Sequence, residues 1–344
     1  MTADPLRDAL AILGEGGDLS ADLAAEAFSA IIRGQATEPA IAALLTGLRV
    51  KGETAEELAG AVRAARAAMV PVEGPLPESI DTCGSGGDGA RSVNISTAAA
   101  IVVAACGVPV AKHGNRSASG NSGSAEVLTA LGINIDADPS TIRRCLVELG
   151  ITFYYAPRHH PALRHAAAVR KQLPFRTLLN LVGPLANPSC PAYQLVGVPT
   201  VRQADLVAGA LVNLGVRRAA VVTGSDGLDE VTLAGPTRVL WVEGGRIEER
   251  SWSPVDFGLP MTESSSLAVE GPDESASRIR SMLAGERGPV RDYVLANAAG
   301  ALVVAGAVAT LAEGAERAVA ALDSGSAEHR LHRWASLSND GGAP

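Results

Sequence analysis

A strand-like run, a glycine-rich turn and the start of a helix decide the fold of this chain. Residues 79–89 read SIDTCGSGGDG, and residues 94–97, NIST, begin an Ala-rich helix. The turn matches G-x-G-x-x-G, but the first acidic residue after Asp88 is Glu126, so nothing stands about 20 residues on to bind a ribose hydroxyl. A dinucleotide site is therefore disfavoured, and backbone N–H groups beside a helix N-terminus favour phosphate binding.

A second polar segment follows the next strand-like run. Residues 112–124 read KHGNRSASGNSGS and lie between a strand predicted at 108–111 and a helix predicted from about 125. The segment holds two cations, six Ser or Asn side chains and three glycines. Ligands of open α/β sheets bind at the carboxyl ends of strands, so two such segments predict a ligand with more than one phosphate.

A third loop carries carboxylates. Residues 224–230 read GSDGLDE after a strand predicted at 219–223. Carboxylate oxygens suit Mg²⁺, which commonly bridges one or two carboxylates to substrate phosphates. A plain surface turn is the alternative, and in either case we expect Asp229 and Glu230 to support no part of the core. The cysteines form no CxxC pair and the histidines no HExxH spacing, so a zinc site is not indicated.

The chain divides into a helical part and an alternating part. Apolar residues recur at helical spacing through residues 5–70, and three prolines in residues 71–77 end that pattern. Beyond them helices and strands alternate, and residues 238–249 predict a hairpin. We expect an α/β protein: a small helical domain, 1–70, joined in space by helices from about 159–187, and a larger α/β domain, 71–344, around a mixed or mostly parallel sheet.

Composition excludes several classes of protein. With 344 residues, 47% hydrophobic, the chain can bury a large core, and its net charge of −8 gives no field that attracts nucleic acid. Residues 294–312 are apolar, but Ala, Gly and Asn297 predict a tightly packed buried helix rather than a membrane span. The acidic start lacks the order of a signal peptide, so a cytoplasmic protein without membrane partners is expected.

In combination, these segments resemble the anthranilate phosphoribosyltransferases of tryptophan biosynthesis. The matching segments are residues 84–88, 94–97, 112–117, 156–170, 180–188, 226–230 and 297–299. The resemblance implies a homodimer joined through the helical domains. It also implies Mg²⁺-dependent transfer of phosphoribose from 5-phosphoribosyl pyrophosphate to the amine of anthranilate, which releases pyrophosphate in the second step of tryptophan synthesis from chorismate.

The same resemblance implies three groups of site residues. Those for 5-phosphoribosyl pyrophosphate are Gly84, Gly87, Asp88, Ser92, Asn94, Ile95, Ser96, Thr97, Lys112, His113, Gly114, Asn115, Arg116, Ser117, Ala118, Ser119, Gly120 and Ser124. Those for anthranilate are Gly84, Asn115 and Arg170, with Arg170 pairing with the carboxylate. The Mg²⁺ ligands are Ser96, Asp229 and Glu230.

Some positions depart from the family pattern. The family usually has Ser and then a long polar or basic residue where this chain has Gly120 and Asn121, and Glu126 replaces the commoner Asp. These changes bear on donor affinity more than on the reaction. Two alternatives stay open: a transferase of the same fold for another aromatic acid, and an enzyme like the pyrimidine-nucleoside phosphorylases.

Overall fold

The computed structural model describes residues 4–117 and 122–340, so the predicted site residues Ala118, Ser119 and Gly120 lie outside the described residues, as does Asn121. The chain begins with the helices α1 (Pro5–Gly14), α2 (Ala21–Ile32), α3 (Glu38–Lys51) and α4 (Ala55–Ala67). In the sequence, Thr54 followed by Glu57 three residues later matches the capping-box pattern, and in the structure these two residues form the capping box that begins α4.

A mixed, mostly parallel sheet of seven strands forms the centre of the described structure. The strands are β1 (Ile80–Gly84), β2 (Val110–Gly114), β3 (Ile151–Tyr155), β4 (Tyr193–Gly197), β5 (Arg218–Gly224), β6 (Thr237–Glu243) and β7 (Arg246–Trp252). Their order is β3-β2-β1-β4-β5-β6-β7, with β1 to β5 parallel and the β6–β7 hairpin antiparallel. The predicted fold class is confirmed, although β3 and β4 were not identified from the sequence.

The strand order changes direction between β1 and β4. From β1 the chain returns to the sheet on one side, through β2 and β3, and then crosses to β4 on the other side. Ile80 pairs with Val110 of β2 and with Tyr193 of β4. Loops diverge at such a point and leave a crevice outside the carboxyl ends of the strands, which is where ligands of open α/β sheets bind.

Helices cover both faces of the sheet. They are α5 (Ile95–Ala105), α6 (Ser124–Ala130), α7 (Pro139–Leu149), α8 (Ala156–His159), α9 (Ala167–Gln172), α10 (Leu179–Leu185), α11 (Val201–Asn213), α12 (Pro272–Leu283), α13 (Pro289–Val304), α14 (Leu311–Asp323) and α15 (Ser326–Asn339). Short 3-10 helices span Pro161–Ala166, Pro254–Phe257 and Ser264–Leu267.

The helix α13 is buried on nearly all sides, as predicted for residues 294–304, but it ends at Val304 and α14 begins at Leu311, so the predicted single helix over 294–312 was wrong in its second part. A Cβ built on Gly314 of α14 would lie 2.9 Å from the Cα of Ala299 in α13, so these two helices approach closely. Within the described ranges, we find no helix with the length and apolar composition needed to span a lipid bilayer.

One hydrophobic core joins the N-terminal helices to later parts of the chain. Its buried members come from α1–α4, from α9, α10 and α11, and from one face of β4 and β5. The 3-10 helix Pro161–Ala166 contacts α2, α9 contacts α3, and α10 contacts α4. Segments from 161–185 therefore pack on the first four helices, while the division of the chain into domains at residue 70 stays a prediction.

A buried polar network ties β1 and β2 to the segment that leads into β4. The Asp81 carboxylate accepts hydrogen bonds from the backbone N–H of His113 (3.2 Å) and from the Asn187 side chain (2.7 Å). The Asn187 amide also donates to the carbonyl of Ala111 (2.7 Å). Burial raises the pKa of Asp81 to about 6, against the opposing charge of Lys112. Sequence reasoning missed this network, because its partners lie far apart in the chain.

We expect Asn187→Ala to lower the free energy of unfolding by at least about 2 kcal/mol. Asn187 is fully buried, and its loss removes one buried hydrogen bond from the Asp81 carboxylate and one from the Ala111 carbonyl. Urea denaturation at neutral pH measures the change.

The matched control is Ser189→Ala. It removes the hydroxyl that donates to the Asn187 amide oxygen (2.8 Å) and keeps the backbone N–H that donates to the same oxygen (2.9 Å). Since no buried group loses all its partners, this variant should cost less than about 1 kcal/mol. Equal costs for the two variants would contradict this account.

Candidate active site

The glycine-rich loop, residues 84–89, lies at the carboxyl end of β1 beside the point where the strand order changes. The Ser85 N–H donates to the carbonyl of Gly197 at the end of β4 (2.8 Å). The Gly86 N–H donates to the Asp229 carboxylate (2.6 Å). The loop is thus held by β4 and by the acidic turn, residues 224–230, which follows β5. These contacts bring two of the three predicted loops together.

The acidic turn approaches the strand ends closely. A Cβ on Gly197 would overlap the Asp229 carbonyl, so only glycine admits the turn at this position. The side chain of Asn297, in α13, accepts from the Val231 N–H (2.9 Å) and donates to the Val231 carbonyl (3.0 Å). These contacts hold the backbone next to Glu230 in place.

Both carboxylates of the predicted cation site are directed at backbone donors. Glu230 accepts from the Ser96 N–H at the start of α5 (3.0 Å), and Asp229, only 8% exposed, accepts from Gly86. The sequence analysis expects Asp229 and Glu230 to support no part of the core; in the structure each orients one of the phosphate-suited segments through a backbone N–H group. Asp226, in the same turn, is exposed, and its carboxylate accepts from Leu228 and Thr232 instead.

The electrostatics of this pair disfavour two negative charges in the absence of a cation. Burial, and then repulsion from Glu230 and Asp88, raise the pKa of Asp229 well above its usual range. Burial also raises the pKa of Glu230, while Lys112 and the Ser96 hydrogen bonds oppose that rise. Asp229 and Glu230 therefore favour their protonated forms at this place unless a cation is bound beside them.

The residues present fit a hydrated divalent cation. The described part of the chain brings together no group of three or more His, Cys, Asp or Glu side chains suited to hold a metal by themselves. Two carboxylates with Ser96 nearby instead match the way Mg²⁺ is held, with few protein ligands and with water and substrate phosphates completing the shell. Ser96, Asp229 and Glu230, the predicted Mg²⁺ ligands, do lie together.

The second predicted loop begins at the carboxyl end of β2. Lys112 is 2% exposed, and its ammonium donates to the Thr82 carbonyl of β1. His113 is also buried, and its Nδ1 lies 2.8 Å from the carbonyl of Gly183. Burial lowers the pKa of His113 to about 3, with His160 contributing, so this imidazole is neutral at physiological pH. The rings of His113 and His160 are 5.4 Å apart.

Asn94 links the start of α5 to this second loop. Its amide donates to the Ser122 carbonyl (3.2 Å) and accepts from the Ser122 hydroxyl (2.6 Å). The Asn115 carbonyl accepts from the hydroxyl of Ser124, at the start of α6 (3.3 Å). Arg116 donates to the phenol oxygen of Tyr155 (3.0 Å). The start of α5 and the second loop are therefore joined directly at the crevice.

The remaining predicted donor residues lie on or beside these elements. Gly84, Gly87, Asp88 and Ser92 belong to the glycine-rich loop and the chain that follows it, Ile95 and Thr97 to the first turn of α5, and Gly114 and Ser117 to the second loop.

The arginine segment, residues 167–178, holds the predicted anthranilate residue Arg170. Arg170 is exposed, and the surrounding protein together with the charge of Arg176 lowers the pKa of its guanidinium. No hydrogen bond between Asn115 and Arg170 is found in ranges 4–117 and 122–340, so these two predicted acceptor residues are not joined directly. Arg176, which the sequence analysis missed, donates to the Ser85 carbonyl (3.0 Å).

Comparisons with known proteins agree with this geometry. A family model described as the α/β domain of a glycosyl transferase family matches residues 76–328, and one for its helical bundle domain matches residues 7–69. The anthranilate phosphoribosyltransferase of Thermomicrobium roseum is 52% identical over 94% of this chain and 94% of its own length. That of Rhodospirillum rubrum is 47% identical over 98% of this chain and 96% of its own.

Solved structures give the same result. The anthranilate phosphoribosyltransferase of Thermus thermophilus is 38% identical and superposes with a TM-score of 0.90, over 96% of this chain and 99% of its own. The Saccharomyces cerevisiae enzyme, in complex with PRPP and Mg, is 28% identical with a TM-score of 0.89, over 97% and 98% of the two chains. With this identity over almost its whole length, the chain belongs to the anthranilate phosphoribosyltransferase family.

Proposed function

We propose that this chain transfers phosphoribose from 5-phosphoribosyl pyrophosphate to the amine of anthranilate, with Mg²⁺, as the second step of tryptophan synthesis from chorismate. The observation that carries the proposal is the convergence of Asp229 and Glu230 on the N–H groups of Gly86 and Ser96 at the edge of the sheet. This convergence supports a cation site beside two phosphate-suited segments. The family's own enzymes from several organisms carry this activity in their names.

The donor side would stabilise the charge that develops on the leaving group. As the bond between ribose C1 and the pyrophosphate oxygen breaks, its electron pair leaves with pyrophosphate and positive charge develops on the ribose. Mg²⁺, when bound at Asp229 and Glu230, would supply Lewis-acid stabilisation of the pyrophosphate. The Thr82 carbonyl holds the Lys112 ammonium in a fixed position, so its positive charge would add to this stabilisation without reorganisation during the reaction.

The acceptor side would mainly orient its substrate. The amine of anthranilate attacks C1 and loses one proton, and attack from behind inverts the anomeric centre. An aromatic amine needs no strong base, so correct placement is the main requirement. The planar guanidinium of Arg170 suits the carboxylate, and the neutral, buried His113 lies at the end of β2 near the crevice.

The proposal is tested by following anthranilate fluorescence in the presence of donor and Mg²⁺. If anthranilate fluorescence falls only when both donor and Mg²⁺ are present, the result supports the transfer. The same protein is then given a pyrimidine nucleoside and phosphate. Phosphate-dependent cleavage of the nucleoside, with no consumption of anthranilate, would replace this proposal with the phosphorylase alternative. Consumption of a different aromatic acid in its place would keep the reaction class and change the acceptor.

Replacing both carboxylates, Asp229→Asn with Glu230→Gln, should reduce turnover by about 10²–10³-fold. The amides retain an oxygen that can accept from Gly86 and Ser96, so the fold should persist while cation binding is lost. Steady-state rates across a Mg²⁺ titration measure the effect, and circular dichroism checks the fold.

Asp226→Asn is the matched control for this pair. It removes a carboxylate from the same turn, but one that is exposed and bound to Thr232 rather than to the crevice. We expect near-normal turnover. If the double variant also reached normal turnover at saturating Mg²⁺, the assignment of the metal ligands would be wrong.

Arg170→Ala should impair use of the acceptor selectively. We expect the KM for anthranilate to rise at least about tenfold, a loss of about 1.4 kcal/mol, with little change in donor affinity. Kinetics in each substrate and calorimetric titration of donor separate the two effects. The control is Arg164→Ala, an exposed arginine in the preceding 3-10 helix. Equal damage to donor and acceptor binding would argue against this role.

The proposal includes the oligomeric state and the domain division at residue 70. Exposed apolar side chains lie on the packed pair α1 and α3, with Ile12 38% and Val50 80% exposed. We propose that these exposed side chains join two copies of the chain in a homodimer. We also propose that the protein acts in the cytoplasm and has no nucleic-acid or membrane partner. Light scattering should give twice the mass of one chain, and Ile12→Glu with Val50→Glu should give a monomer.

A further inference from the structure

Arg176 connects two parts of the crevice that come from distant positions in the chain. Its side chain extends from the arginine segment, residues 167–178, to the glycine-rich loop, residues 84–89. One guanidinium nitrogen donates to the Ser85 carbonyl at 3.0 Å. The guanidinium also lies against Gly87, so closely that a Cβ on that residue would overlap it. Gly87 has a φ of 82°, which likewise favours glycine.

Arg176 contacts the glycine-rich loop from a different part of the structure than the loop's other partners do. The Ser85 N–H is bound by β4 and the Gly86 N–H by Asp229, both on the sheet side. Arg176 binds the Ser85 carbonyl from the arginine segment. Among these three contacts, the one with Asp229 joins the loop to a proposed cation ligand. The one with Arg176 joins the loop to the segment that holds Arg170.

The guanidinium has donors that this contact does not use. Its Nε is buried and has no hydrogen-bond partner within the described structure, although a guanidinium offers five N–H donors in a planar fork. Its charge also acts on Arg170, whose guanidinium pKa it helps to lower. Arg176 therefore contacts the glycine-rich loop directly and acts on Arg170 through its charge.

We propose that Arg176 is a positioning residue that couples the two substrate sites, so that occupancy of the glycine-rich loop changes the affinity of the arginine segment for its carboxylate ligand. A phosphate ligand that shifts Ser85 and Gly87 displaces the Arg176 guanidinium that contacts them, and so changes the electrostatic repulsion that this guanidinium exerts on Arg170. This inference rests on the proposed function, because it takes the donor to bind the loop and an aromatic carboxylate to bind Arg170.

The experiment measures binding without turnover. Anthranilate is titrated by calorimetry into the full chain alone, and then into the full chain with saturating Mg²⁺ and pyrophosphate, which cannot react with it. In the wild-type protein we expect the two dissociation constants to differ by at least about fivefold. In Arg176→Gln the ratio should fall close to one. Arg176→Lys, which keeps the charge without the planar fork, should give an intermediate ratio.

Arg164→Gln is the matched control, since it removes a nearby exposed guanidinium and should keep the wild-type ratio. A ratio of one in the wild-type protein would overturn the inference. A wild-type ratio in Arg176→Gln would also overturn it. This includes the case where the variant binds anthranilate more weakly by the same factor with and without pyrophosphate, because such a result indicates a purely structural role. If Arg176→Gln does not fold, the lysine variant decides, and a wild-type ratio there overturns the inference.

The two proposals fail separately. The fluorescence assay of turnover with 5-phosphoribosyl pyrophosphate tests the proposed function and does not depend on the binding ratio. If turnover occurs and the ratio does not depend on Arg176, only the coupling is refuted. If no turnover occurs with anthranilate, the proposed function is refuted, whatever the ratio is.

Discussion

The close approach of the acidic turn to the ends of β1 and β4 is the contact on which the crevice depends. Asp229 and Glu230 could not reach the backbone of the loop and of α5 if Gly197 had a side chain. Burial disfavours the charged form of Asp229, and repulsion from Glu230 so near to it adds to this cost. Ionisation of both carboxylates is therefore favoured only when a cation is bound nearby. The two phosphate-suited segments meet at this same place.

The fold could be predicted where local chemistry is strong. The glycine-rich turn, the capping box at Thr54 and the β6–β7 hairpin each have a short-range signal that the structure matches. β4 lacks the continuous apolar run that is typical of a strand buried on both faces, because Gln194 stands within it; Gln194 is buried and donates to the Pro184 carbonyl (3.1 Å). A polar residue is expected to be exposed when only the sequence is known, whereas here a partner elsewhere in the fold satisfies it.

The same distinction applies to the candidate site. Residue types suited to phosphate and to a cation form dense local motifs, and Ser96, Asp229 and Glu230 do lie together. Asp81 and Arg176 were missed because their partners are between 32 and 106 residues away and include main-chain groups, which have the same chemistry at every position. What a loop binds can be inferred from its composition, but what holds the loop in place depends on contacts that only the folded chain creates.

The packing of α9, α10 and α11 on the first four helices has a consequence for synthesis of the protein. The ribosome releases α1–α4 first, but their shared apolar surface is completed by Leu185, Leu211 and other residues made much later. Until translation passes that point, this surface stays in contact with water and with other nascent chains. During this interval the exposed apolar surface can bind chaperones or aggregate. An N-terminal bundle that buried its own apolar surface would avoid this interval.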